Sequence, residues 1–290
     1  MNSLKAFKQA QWLFNGNCVQ VNRLNGANSV WDCLSEEGSL GILKYYPRDE
    51  HGRLHFQSEV EMLTLNQSDY LTQLIWSDPH ERCAAFEYAD SDVSTPVALY
   101  SILNMLENQL PSFSIPDTVH HDAPGILAWW RDGSPDFGPS QQALLHFVRT
   151  QEWFEESGTL LEKSWTKDVP LHGDMKLSNL RLGPNGFKVI DWEIIGYGIR
   201  GWDSAGLIQS CIAELLVDGD FAPWIRRNQM ALSDWLQSAD KLLRYALSFR
   251  LVQTAIESAS RQVPAPLHAA GLIQLASDSA AGNFERILSL

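Results

Sequence analysis

Asp174, Asn179 and Asp191 place two carboxylates and an amide in the pattern His172-Gly173-Asp174-x₄-Asn179-x₁₁-Asp191, which suits phosphoryl transfer. Moving a phosphoryl group onto a hydroxyl needs a carboxylate that orients the acceptor and takes up its proton. It also needs hard oxygen ligands for Mg²⁺. Asp174 can serve the first need, and Asn179 and Asp191 the second. Phe187-Lys188-Val189-Ile190 reads as a strand that would hold the Asp191 carboxylate at a fixed strand end. A single Asp in such a stretch is ordinarily a turn residue, so the joint pattern behind an apolar strand carries the reading.

Groups so placed need a framework, and the chain offers two kinds. Residues 1–89 read as short strands and turns, with strands near 18–21, 30–34, 40–46 and 83–88 and a strong hairpin signal at Asn25-Gly26. A helix is expected from about residue 55 to 66. From residue 90 the pattern turns helical. Thr95-Pro96 would open a helix toward Leu110, and Ser140 a second one running to about Trp165. Pro111, Pro116, Pro124, Pro135 and Pro139 predict a long irregular segment between them, a kind of loop that is often functional. Residues 169–203 alternate strand and loop, and helical stretches near 224–262 and 267–288 flank Pro264-Ala265-Pro266. The expectation is an α+β chain with a β-rich N-terminal domain, 1–89, and a larger helical domain, 90–290.

Composition narrows the partners. A net charge of −13 argues against nucleic acid, whose binding rests on Lys and Arg, and leaves room for a cationic substrate. Cys18, Cys33, Cys83 and Cys211 form no Cys-x-x-Cys pair, so reduced structural thiols are expected rather than a zinc site or disulfides. No stretch has the length of a membrane span, and the N-terminal residues lack the apolar run of a signal peptide, so a cytoplasmic protein is expected. The eleven Trp are expected to serve packing.

His172-Gly173-Asp174, Asn179 and Ile190-Asp191-Trp192-Glu193 together resemble the aminoglycoside phosphotransferase and choline kinase family, relatives of the protein kinases. The likeness extends to Gly201-Trp202-Asp203 and, more weakly, back to about residue 20. It implies a two-lobed protein-kinase-like fold with ATP, or GTP as the alternative nucleotide, and Mg²⁺ near residues 86–94. It also implies that Asp174 is catalytic, that Asn179 and Asp191 hold the metal, and that His172 and Asp203 support the catalytic loop. A nucleotide-gripping Lys–Glu pair is implied as well. Lys44 lies on a strand, and Phe56, Glu59, Val60 and Leu63 share one helical face, which turns Glu59 inward and Glu61 away. A charge on an inward face wants a partner, and Lys44 is the natural one.

Gly26, Asn28 and Ser29 look like the family's phosphate-covering hairpin, although the family often has two adjacent glycines there and this chain has one. Phe86-Glu87-Tyr88 looks like the inter-lobe hinge, with Glu87 and Tyr88 as purine contacts. Lys176 departs from many small-molecule members. Ser/Thr protein kinases usually have Lys there, where it neutralises charge on the transferred group. The expected acceptor is a hydroxyl on an aminoglycoside, amino-alcohol or sugar-like molecule. Lys176 keeps open a kinase for Ser/Thr of a peptide, with a partner chain, while the missing A-P-E and G-x-G-x-x-G elements argue against an ordinary protein kinase. A non-catalytic nucleotide-binding scaffold is the third reading, disfavoured by the intact Asp174/Asn179/Asp191 set.

Overall fold

The computed structural model describes residues 2–24, 28–89, 94, 97–116, 125–133, 136–166, 169–183, 186–259 and 265–290. They divide into two compact units. The first comprises residues 1–97, 113–120 and 179–195, and the second residues 98–112, 121–178 and 196–290.

The first unit opens with helix α1 (Ser3–Leu13), which the strand-and-turn expectation missed. Its N-cap is Asn2, whose side chain accepts from the Lys5 N–H at 3.0 Å. Strands β1 (Gln20–Leu24), β2 (Ser29–Ser35) and β3 (Gly38–Tyr45) form an antiparallel meander. Helix α2 (Glu50–Leu65) follows, capped by Asp49, and then come β4 (Leu74–Asp78) and β5 (Cys83–Phe86). The five strands are ordered β1-β2-β3-β5-β4.

The period of two along β3 decides where its side chains go. Leu43 and Tyr45 sit in a cluster with Ala6 and Ala10 of α1, Trp31, Cys33 and Cys83. Lys44 lies between them in sequence and therefore faces the other side of the sheet, where α2 supplies Glu59. Helix α2 buries Phe56, Glu59, Met62 and Leu63, while Val60 is only half-buried. Each buried apolar side chain of this size stabilises by about 1.5–3 kcal/mol. All four cysteines are buried, and burial pushes the Cys33 and Cys83 thiols up to about 12, so they behave as packing groups.

In the second unit α3 (Leu99–Asn104) starts later than expected, and Thr95 and Pro96 lie outside the described residues. The Asn228 side-chain oxygen accepts from the Leu99 N–H at 2.9 Å, a cap contributed from 129 positions away. The stretch read as one irregular Pro-rich segment contains α4 (Gly125–Asp132), whose Trp130 packs against Gly158. The helix expected from Ser140 to Trp165 is two, α5 (Pro139–Arg149) and α6 (Glu152–Ser164), with Gly138 rather than Ser140 at the cap position. Strand β6 (Val169–Leu171) then leads into the His172 loop.

The chain next contributes the hairpin of β7 (Leu180–Gly183) and β8 (Gly186–Val189) to the first unit. Strand β9 (Gly196–Gly198) pairs with β6, back in the second unit. Five helices complete it: α7 (Trp202–Val217), α8 (Ala222–Arg227), α9 (Gln229–Ser238), α10 (Lys241–Ser258), and α11 (Ala265–Ala281). A last short turn, α12 (Glu285–Leu288), ends the chain. Both α7 and α10 are buried over most of their circumference, as central helices of a core are. Among the described residues no helix is long and apolar enough to cross a membrane.

The entry to α2 is tight. A Cβ added to Gly52 would lie 2.2 Å from the Pro47 carbonyl oxygen. Gly52→Ala is expected to cost ~1–3 kcal/mol through overpacking. A fall in thermal midpoint read by circular dichroism checks this, and an unchanged midpoint would contradict the packing at the start of α2.

Candidate active site

Lys44 is the centre of the first unit's polar cluster. Its ammonium is 2.7 Å from Glu59 Oε2 and 2.8 Å from Glu193 Oε2, and it also bonds Asp191. The Lys44 side chain is 5% exposed, so this is a buried cation among three carboxylates. Burial works against the charge, but Glu59, Asp191 and Glu193 outweigh it and hold the Lys44 pKa above the ordinary lysine value. Glu59 is fixed from three sides. Its Oε2 also accepts from the Tyr46 hydroxyl at 2.5 Å, and its Oε1 from the Trp192 N–H at 3.2 Å. Sequence reasoning paired Lys44 with Glu59 but missed Tyr46, whose neighbouring position gave no sign of its partner.

Asp191 follows β8 and adopts a left-handed backbone, φ 69° and ψ 52°. Asp tolerates that region better than most residues, yet such strain concentrates at functional positions. Ile190 N–H donates to the Asn179 carbonyl oxygen at 3.0 Å, so the hairpin sets Asn179 and Asp191 at its two ends. Asn179 is buried. Carboxylate oxygens of Glu59, Asp191 and Glu193 lie within 4.8 Å of one another, a spacing one cation can bridge. These donors are all hard oxygens, and they suit a hard divalent cation rather than a soft metal.

Asn28 donates to Glu193 Oε2 at 2.5 Å, and Ser29 begins β2 opposite Tyr45. Gly26 lies outside the described residues, with Asn25 and Ala27. Glu87 is engaged at every polar group: its N–H by Gln73, its carbonyl by Thr72 and its carboxylate by Lys188. Tyr88, two residues beyond β5, is exposed. His55, one turn before Glu59 on α2, has its Nδ1 3.8 Å from Glu193 Oε1, and burial first, then His51 and Lys44, push its pKa down to about 4.

In the second unit the loop after β6 is pinned by helices α7 and α10. The Asp203 carboxylate accepts from the backbone N–H groups of His172 at 2.6 Å and Gly173 at 3.0 Å. Burial raises the Asp203 carboxyl above the ordinary Asp value, against the pull of those groups and of Arg250. Gly173 has φ 85°, a conformation that costs Gly nothing and a residue with a Cβ a good deal. The buried His172 accepts the Asp174 N–H at Nδ1, 3.3 Å away, and Ser210 accepts the Leu177 N–H at 3.0 Å.

Asp174 itself bonds Lys176 Nζ, and Arg250 Nη2 stands 3.8 Å from its other oxygen. Arg250 was not foreseen. It is buried over the Trp202 ring, 75 positions from the Met175 carbonyl that its Nη2 reaches at 3.5 Å, and its Nε has no partner among the described residues. Gly206 permits this approach, since a Cβ there would sit 2.6 Å from the Met175 carbonyl and 3.0 Å from Arg250 Nη2.

No family model and no curated protein matches the chain by sequence. Solved structures match it by fold. Choline kinase LicA from Streptococcus pneumoniae superposes with a TM-score of 0.62 at 12% identity, covering 97% of this chain and 99% of that one. The chain has the two-lobed protein-kinase-like fold. The amicoumacin kinase hAmiN, solved with AMP-PNP, Ca²⁺ and Ami, gives 0.57 at 13% identity, over 97% and 94% of the two chains. The GDP complex of a mutant aminoglycoside 2'-phosphotransferase gives 0.52 at 13%, over 99% and 100%. The kinase-like fold is thus shared along the whole chain at very low identity.

Asp203→Ala would leave the His172 and Gly173 N–H groups buried without an acceptor, at ~1–3 kcal/mol each. Urea unfolding is expected to show a loss of at least ~2 kcal/mol relative to wild type. A loss within ~0.5 kcal/mol, the usual range of an inert surface substitution, would show that Asp203 does not brace the loop.

Proposed function

We propose that this chain is a kinase that binds a nucleoside triphosphate with Mg²⁺ and transfers the γ-phosphoryl group to a hydroxyl of a small molecule. The observation that carries the reading is the buried Lys44 ammonium held at once by Glu59 of the following helix and by Asp191. A charge so costly to bury is easiest to understand as part of a site for charged ligands.

Each residue then takes a role that its surroundings suit. Lys44, aligned by Glu59, would grip the phosphates, with Asn28 and Ser29 of the first hairpin beside it. Asn179 and Asp191 would hold Mg²⁺, which when bound neutralises phosphate charge. Asp174 would orient the acceptor hydroxyl and take up its proton. His172, Asp203 and Ser210 keep the backbone around Asp174 rigid, which matters because most of the acceleration in phosphoryl transfer comes from positioning. Lys176, already bonded to Asp174, would offset negative charge on the transferred group.

The named acceptors of two structural neighbours, choline and an aminoglycoside, are cationic hydroxyl compounds. A net charge of −13 suits an acceptor of that kind.

Thermal stability with ATP, GTP and ADP, with and without Mg²⁺, tests the reading. One nucleotide is expected to raise the midpoint in a metal-dependent way, and Asp191→Ala to abolish that dependence. Asp174→Asn should keep the stabilisation yet lower ADP formation with choline, ethanolamine or an aminoglycoside by ~10²–10⁴-fold. Indifference of the wild type to every nucleotide at millimolar concentration would sink the proposal.

A further inference from the structure

Glu193 belongs to the motif that ends β8, and beyond its place in the acidic cluster around Lys44 its surroundings are unusual. A single oxygen, Oε2, takes both the Lys44 ammonium at 2.8 Å and the Asn28 amide at 2.5 Å. These two side chains come from β3 and from the turn before β2, and both are among the residues proposed above to meet the triphosphate. Both are buried, Asn28 at 7% exposure and Lys44 at 4%. An anionic oxygen that accepts one charge-assisted and one amide hydrogen bond has the recognition chemistry of a phosphate oxygen.

We infer that Glu193 Oε2 occupies the position of a nucleotide phosphate oxygen in the nucleotide-free protein, which makes Glu193 a positioning residue that couples nucleotide binding to the divalent cation. The inference rests on the kinase reading above. It explains how Lys44 and Asn28 are kept at the spacing one oxygen imposes when no ligand is there to impose it. It also has a cost in affinity. One ammonium among three carboxylates leaves a local charge of −2, which repels an incoming polyphosphate. A divalent cation drawn to that surplus brings the charge to zero and frees Lys44 and Asn28 for the phosphates. His55, whose Nδ1 is 3.8 Å from Oε1, faces Glu193 from α2 together with Glu59 and can receive the carboxylate when it swings away.

Coupling of this kind is reciprocal and is typically worth about 5–150-fold in affinity. ADP is the probe, titrated calorimetrically into wild type and Glu193→Gln, each once in EDTA and once in Mg²⁺. Wild type should bind weakly in EDTA and tightly in Mg²⁺. Glu193→Gln, whose amide keeps the shape but not the charge, should bind ADP in EDTA about tenfold more tightly than wild type does. Its gain from Mg²⁺ should shrink by a similar factor. Glu193→Ala provides the same comparison should the Gln variant misfold, and Asn28→Ala should weaken ADP binding under both conditions.

If wild type binds ADP in Mg²⁺ but Glu193→Gln binds it no more tightly in EDTA, Glu193 is not a phosphate stand-in and the kinase reading survives. If wild type binds no nucleotide under either condition, the kinase reading falls and this inference falls with it.

Discussion

A buried ammonium is the constraint around which the first unit is arranged. Removing Lys44 from water costs several kcal/mol, and only carboxylates held in good geometry can offset that. The three that do so come from different places: Glu59 from the middle of α2, Asp191 and Glu193 from the segment after β8. Sheet, helix and hairpin must therefore all be in place before the charge is satisfied. Taking away one partner of a buried pair typically costs about 3–5 kcal/mol, more than most single contacts contribute. The arrangement is consequently a poor way to stabilise a fold and a good way to fix three elements relative to one ammonium.

The second unit solves a similar problem with backbone instead of side chains. Asp203 takes two main-chain N–H groups, and His172 a third, so the loop carrying Asp174 is fixed through peptide groups that few substitutions can remove. Arg250 and Ser210 add side-chain contacts from α10 and α7. The Asp174 side chain remains partly exposed, with Lys176 and Arg250 as its charged neighbours. Rigid main chain beneath a reachable carboxylate is what a group needs if it must orient a substrate without moving itself.

How much of this was legible in the sequence depended on the distance over which each cause acts. Lys44 and Glu59 could be paired because strand and helix periods are local, and the two residues are 15 positions apart. The α+β class followed from the change of pattern near residue 90, and the kinase-like fold from the resemblance carried by the motifs between His172 and Glu193. Helix α1 was missed because its fully buried positions are only Ala6 and Ala10, while the larger Phe7 and Leu13 that also pack on that core are only partly buried. Tyr46, Arg250 and the link between Asn28 and Glu193 were invisible because nothing local announces a partner on another element. The helix boundaries failed for the same reason. Asn228 caps α3 from 129 positions away, and no propensity at Leu99 reports that.

The left-handed Asp191 connects these observations. Holding a non-glycine residue at φ 69° costs of order 1 kcal/mol or more, so something must over-determine it. Two restraints flank it: Ile190 N–H on the Asn179 carbonyl, and Trp192 N–H on Glu59 Oε1. Trp192, fully buried, adds a third through its indole N–H to the Val189 carbonyl at 3.0 Å. The same Glu59 that neutralises Lys44 thus also bends the chain that brings Asp191 to it. Strain at Asp191 and charge at Lys44 are then not independent features, since Glu59 underwrites both. That shared dependence is the physical reason for expecting the two acidic residues and the lysine to act as one unit toward any ligand that carries charge.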